Sequence, residues 1–279
     1  MAGIRFVDTT IRDGHLSLWA SGMTTGMMLP VIERLDDAGF EAIEILSDGQ
    51  MGKAVRDLKD DPFERISLAA ERAKETPLRL IAGRIATFEY EPPEAFALFL
   101  KLAARSGVSE VRISDPWNEY AGWKRRVEAA HAAGLRVILN LVYSISPVHT
   151  DAYYAERCRQ AASLGVWRLC FKDPGGLLTP ERTRALVPVM LENAGSTPVE
   201  FHTHWRTCGA NRLITGRFFS SNVATERTEA ETVPSPAATA TGRDRWPESP
   251  SPTPASGHSS PASPHTTSAI RNSRASASG

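Results

Sequence analysis

The sequence predicts an α/β fold built on a parallel sheet, and three observations carry that prediction. Four similar marks recur along the chain: DAGF ending at Phe40, RSGV at Val108, AAGL at Leu135 and SLGV at Val166. In each, an apolar-periodic helix ends in glycine, which tolerates the left-handed position just past a helix, and a β-rich run follows. Second, each strand-plus-helix unit takes roughly 30 residues, the length a parallel crossover needs. Third, the runs are largely apolar, so both sheet faces are expected to be covered. Periodicity leaves a doubly wound sheet and a barrel both open. No GxGxxG follows the first run, which argues against a dinucleotide-binding sheet.

The candidate strands are Ile4–Asp8, Ala42–Leu46, Leu78–Ala82, Glu110–Ser114, Arg136–Val142, Trp167–Lys172 and Val199–His202. Between them, helical spacing is visible. Met28, Val31, Ile32 and Leu35 fall at i, i+3, i+4 and i+7, and Tyr154, Cys158 and Ala161 share a face in the same way.

Composition divides the chain into 1–204 and 205–279. The second part is rich in Ser, Thr, Pro, Ala and Arg; the last lysine is Lys172 and the last leucine Leu213. Such a segment buries too little apolar area to offset the entropy of ordering it, so a disordered low-complexity tail is expected. The formal net charge is zero, which gives no reason to expect nucleic acid or an anionic membrane as partner. Three scattered cysteines make neither a disulfide framework nor a CxxC site and fit a reducing, cytoplasmic setting. The charged N-terminus does not read as a signal peptide, and no run has the length of a membrane span.

Polar residues gather where the strands end: Asp8, Arg12, Asp13 and His15 after the first, Asp48 after the second, Arg84 after the third. Asp115 and Asn118 follow the fourth, Tyr143 the fifth, Lys172-Asp173 the sixth and His202-Thr203-His204 the seventh. In a barrel this rim holds the active site; strand ends are also polar simply because they are exposed. His202 and His204 project to one face of a strand, as two metal ligands require. Asp13 offers a hard carboxylate. Lys172 ligates only when deprotonated or modified, which burial favours; otherwise it reads as an ion pair with Asp173 or Asp115.

Four segments in order resemble the carboxyltransferase family of pyruvate carboxylase and the oxaloacetate decarboxylase alpha subunit, from about Phe6 to His204. They are DTTIRDGHLSLWA, LNLVYSISPVHT, FKDPGGLLTP and FHTH, similar to that family's DTTxRDAHQSLxA, SYTxSPVHT, KDMAGLLTP and HTH. The resemblance implies a (β/α)8 TIM-barrel type, incomplete here at about seven strands. It implies a metal-dependent carboxyltransferase or decarboxylase acting on a 2-oxo acid. The cofactors implied are a divalent metal (Zn, Mn, Co or Mg) and biotin on a separate carrier or carboxylase subunit, with a homo-oligomer possible. By position, Asp13, His202 and His204 match the metal ligands, and Lys172 the carbamylated lysine. Arg12 matches the arginine that steadies the enolate and Tyr143 a pocket tyrosine. Arg84 stands two places from the family's third-strand arginine and is carried as a substrate-binding residue with Arg12 and Asp13.

The chain also departs from the pattern. Leu16 replaces the family's glutamine, no AMKM-like biotinyl segment is present, and the match stops between His204 and Trp205. The alternatives are a lyase of the hydroxymethylglutaryl-CoA or aldolase type, an inactive product of a truncated or frame-shifted gene, and a binding module without catalysis; the hydroxymethylglutaryl-CoA lyases share the RDG and HxH elements but not KDxxGLLTP. An incomplete barrel is expected to expose the edges of its first and seventh strands.

Overall fold

The computed structural model describes residues 5–83 and 92–204. Its seven strands are β1 (Val7–Asp8), β2 (Ala42–Ser47), β3 (Leu78–Gly83), β4 (Val108–Ser114), β5 (Arg136–Val142), β6 (Arg168–Asp173) and β7 (Val199–Thr203). They lie side by side in sequence order, every neighbouring pair parallel. A doubly wound sheet reverses its order at a switch point; this one does not, and it is an incomplete TIM barrel of seven strands among the described residues. Ile4, Arg84 and the segment 205–279 lie outside the described residues, and with them the expectations placed there.

Two short helices, α1 (His15–Trp19) and α3 (Asp48–Lys53), sit just after β1 and β2. The crossovers are α2 (Thr25–Asp37), α4 (Pro62–Arg72), α5 (Pro93–Arg105), α6 (Tyr120–Ala132), α7 (Asp151–Ala162) and α8 (Pro180–Asn193). Their starts are chemically marked. The side chains of Thr24, Asp61, Thr150 and Thr179 accept backbone N–H groups of the first turn, and proline opens α4, α5 and α8. The four marks in the sequence end these helices, with Gly39, Gly107, Gly134 and Gly165 all at positive φ. At Gly107 space is limiting too, since a Cβ would stand 2.4 Å from that of Ala70.

Each crossover buries one stripe against the sheet: Met28 and Ile32, Ile66 and Ala69, Phe96 and Leu100, Trp123 and Val127, Tyr154 and Cys158, Leu186 and Met190. Val31, expected on the buried face of α2, is exposed, because the turn of the helix carries i+3 past the sheet while i+4 stays on it. No helix among the described residues is long and apolar enough to cross a membrane.

The strands are covered on both faces, but the two faces differ in kind. Residues such as Ile43, Ile45, Val111, Ile113, Leu139 and Phe171 pack under the helices. The alternate positions turn into the barrel, where many are charged. Arg79 of β3 reaches Glu110 of β4 at 2.9 Å and Glu200 of β7 at 2.8 Å, across the interior. Glu44 of β2, fully buried, accepts from Arg12 at 2.6 and 3.0 Å and from Arg112 of β4 at 3.0 Å. Burial alone would raise the Glu44 pKa; the Arg112 and Arg12 charges overcome that and hold it below the ordinary carboxylate value. A charge in such a place survives only if paired.

Glu44→Leu removes the shared anion, strands the Arg112 guanidinium and leaves Arg12 with Asp13 alone. Its expected cost is about 3–5 kcal/mol, a fall in Tm on the order of 10 °C. Thermal unfolding followed by circular dichroism reads this; an unchanged Tm would show that the cluster does not stabilise the fold.

Candidate metal centre

The site begins where β1 ends. The Asp8 carboxylate accepts from the Thr10 backbone N–H at 3.1 Å and from its hydroxyl at 2.8 Å. There the chain enters a π-helical turn, Thr10–Gly14, with the Asp13 and Gly14 N–H groups both donating to the Thr9 carbonyl. Single π turns are rare and cluster at functional sites. This one points the successive side chains of Arg12 and Asp13 into the barrel, where Arg12 meets Glu44. From α3, Gln50 donates its amide to the Arg12 carbonyl at 3.0 Å and fixes the turn from the next strand's loop.

Asp13 divides its two oxygens. Oδ1 faces Arg12 Nη1 at 2.9 Å, and Oδ2 faces Nε2 of both His202 and His204 at 3.4 Å. One ligand atom from each of Asp13, His202 and His204 lies within 4.8 Å of the other two. His202 stands on β7 and His204 one residue past its end, so the i and i+2 side chains share a face as in an extended chain, their rings 5.3 Å apart. From β6, Lys172 brings its Nζ to 3.4 Å from His204 Nε2. The sheet register pairs Lys172 with His202 directly.

The electrostatics suit a cation. Burial would raise the Asp13 pKa, but the His202 contact and the charges of Arg12 and Lys172 hold it well below the usual carboxylate range. Burial and then the Arg112 charge lower His202 to about 3, and burial with Lys172 lowers His204. Lys172, desolvated and facing the Arg112 charge, is pushed down to about 8. The set is thus an anionic carboxylate, two neutral imidazoles and an amine within reach of its neutral form. Those are the protonation states that ligation needs, and the residues present fit a divalent cation.

The other expected residues fall into place around this group or apart from it. Tyr143 is buried outside it, stacked on Tyr154 at 5.7 Å and edge-on to Phe171 at 5.8 Å. Its backbone N–H donates to the Lys172 carbonyl at 2.7 Å. Asp173 is not the partner of Lys172: its carboxylate accepts from the N–H groups of Leu177 and Leu178 at 3.0 Å and braces the loop after β6. Asn118 clamps Val142, donating to its carbonyl and accepting from its N–H at 2.8 Å each. Asp48 accepts from the Gly83 N–H at 2.7 Å. Leu16 stands exposed on α1.

Two residues of the site were missed in the sequence, Glu44 and Arg112. Arg112 Nη1 lies 3.1 Å from His202 Nδ1 while its Nη2 faces Glu44. Their signal was present: one charge in AIEILS and two in EVRIS, strands otherwise largely apolar and buried on both faces, where an ion without a partner would not be tolerated.

No family model matches the chain. A pyruvate carboxylase subunit of Methanocaldococcus jannaschii is 32% identical over 203 residues, which is 72% of this chain and 36% of that protein. The 2-oxoglutarate carboxylase large subunit of Hydrogenobacter thermophilus is 29% identical over 204 residues, 72% of this chain and 31% of that protein. Among solved structures, the carboxyl transferase domain from Rhizobium etli pyruvate carboxylase with pyruvate and biocytin superposes with a TM-score of 0.67 at 25% identity. The match covers 72% of this chain and 36% of that one. The chain spans roughly a third of the length of these relatives. With strand order, the motifs at the strand ends and sequence identity all pointing the same way, the chain belongs to the carboxyltransferase-domain family of the pyruvate carboxylases.

Proposed function

We propose that this chain moves a carboxyl group between biotin, carried on a separate chain, and a small 2-oxo acid, at a divalent metal held by Asp13, His202, His204 and Lys172. The observation that carries the reading is the convergence of one carboxylate and two imidazoles within 4.8 Å at the C-terminal ends of β1 and β7. Two imidazoles favour a transition metal such as zinc, manganese or cobalt over magnesium. The relative solved with pyruvate and biocytin supports the substrate class and the carrier.

A bound cation supplies Lewis-acid polarisation of a 2-oxo group. The chain's own residues do the rest. Arg12, its guanidinium held by Glu44 and Asp13, acts through a fixed positive charge beside the position where negative charge develops. Lys172, with a depressed pKa, keeps enough neutral amine to add to CO2 and lose a proton, giving a carbamate whose oxygen completes the ligand set. Tyr143, hydrogen-bonded through its backbone to the Lys172 carbonyl, supports the end of that strand. Arg84 remains a candidate for holding the substrate carboxylate.

The purified chain should contain bound transition metal and catalyse biotin-stimulated decarboxylation of oxaloacetate. Metal with carbon–carbon cleavage that ignores biotin would favour a lyase. Asp13→Ala and His202→Ala should each weaken metal binding more than about a hundredfold, beyond the range of outer-shell changes. Stoichiometric metal retained in both variants would remove the site. Lys172→Ala should bind metal about tenfold or more weakly and regain affinity in added acetate; no recovery would count against a carbamate.

The pH dependence has a definite sign. The folded imidazoles have lowered pKa values, His202 to about 3, so proton competition for the metal should set in well below the ordinary histidine range. In the unfolded chain the same rings take up protons near 6.5. Their contribution to stability is therefore complete above about pH 6.5 and is lost as pH falls from there toward 3. Denaturant unfolding of the metal-free protein between pH 7.5 and 4.5 tests it: a stability independent of pH, or rising with acid, contradicts the assignment.

A further inference from the structure

Metal-ligating histidines commonly donate the N–H of their second ring nitrogen to a carboxylate, a carbonyl or water, which fixes the tautomer with the ligating nitrogen bare. His202 has the opposite arrangement. Its Nε2 faces Asp13 Oδ2 at 3.4 Å, on the side of His204, while its Nδ1 lies 3.1 Å from Arg112 Nη1. A guanidinium has donors only and keeps its proton, so Nδ1 must be the accepting nitrogen. In a neutral imidazole the hydrogen then sits on Nε2.

Arg112 has little freedom to yield. It is buried, its Nη2 faces both Glu44 oxygens at 2.8 and 3.0 Å, and its Nη1 also lies 3.6 Å from Cys170 Sγ. Glu44 is in turn held by Arg12. We propose that Arg112 is a positioning residue that locks His202 as the Nε2–H tautomer, so that in the metal-free protein His202 donates to Asp13 and the nitrogen nearest the other ligands is blocked by a hydrogen. A cation entering between Asp13, His202 and His204 must then displace that hydrogen or break the Arg112 contact. The same Glu44–Arg112 pair couples the ligand histidine to Arg12. The tautomer follows from this geometry alone; its effect on metal binding rests on the function proposed above.

Long-range 1H–15N correlations of the imidazoles in the metal-free full chain, with His202 assigned by its loss in His202→Asn, test the first part. The expected signature is a bare Nδ1 and a protonated Nε2; a protonated Nδ1 overturns the proposal. Zn2+ affinity of two neutral replacements tests the second part. Both Arg112→Gln and Arg112→Met remove the charge, but only the glutamine oxygen can accept from Nδ1–H. Arg112→Gln is expected to bind Zn2+ about tenfold tighter than Arg112→Met; equal affinities would overturn the tautomer block. If neither variant folds, the tautomer measured in the native chain still decides the proposal. If the Nε2–H tautomer is found but no form binds Zn2+, the positioning role stands and the metal site falls.

Discussion

Inside the barrel one carboxylate faces two guanidiniums. Glu44, with no exposed surface, accepts from Arg12 on one side and Arg112 on the other. In a low-dielectric interior none of the three ions is tolerable alone, and the geometry of the other two follows from the need to reach the first. Arg12 can reach Glu44 only if the chain leaves β1 through its π turn, and that turn also brings Asp13 inward. Arg112 can reach it only from the inner face of β4, which sets it against His202. The candidate metal centre is thus built outward from a single buried anion.

A second charge cluster lies below, where Arg79 spans Glu110 and Glu200 and Arg136 also meets Glu110. The interior is layered: paired ions toward the N-terminal ends of the strands, then the Glu44 cluster, then ligands and lysine at the C-terminal rim. The outer faces of the same strands are aliphatic and packed under helices. The helices hold the sheet by burying apolar area, which is non-directional. The inner ions add direction, because a guanidinium paired to a carboxylate fixes the strand that carries it.

The functional consequence is a field rather than a pocket shape. Lys172 and both histidines are pushed toward their neutral forms by desolvation and by nearby positive charges, while Asp13 is kept anionic by its contacts with His202, Arg12 and Lys172. One positive environment therefore favours an uncharged amine and uncharged imidazoles beside an anionic carboxylate, although it opposes a cation itself. Two anions, Asp13 and Glu44, offset that opposition locally. The balance explains why Arg12 stands so close to a proposed metal: its charge is already matched by Glu44.

The elements were legible in the sequence because their signals are local. Glycine at the helix ends, apolar runs at the spacing of crossovers, and HxH on one strand depend only on backbone preferences and on the periods of helix and strand, and β5 agrees with its expected bounds to the residue. Asp13, His202, His204 and Lys172 could be picked out as candidates from the motifs at the strand ends. What only the tertiary structure decided lies in contacts between residues far apart in the chain. The strand order excluded the doubly wound sheet, and Tyr143 took its place in an aromatic cluster with Tyr154 and Phe171. Glu44 and Arg112 could be seen in the sequence as charges in buried strands, but their partners could not. A buried ion must be paired, yet which ion it pairs with is set by the curvature of a sheet that brings β2, β4 and β7 around a common interior, and no local pattern encodes that.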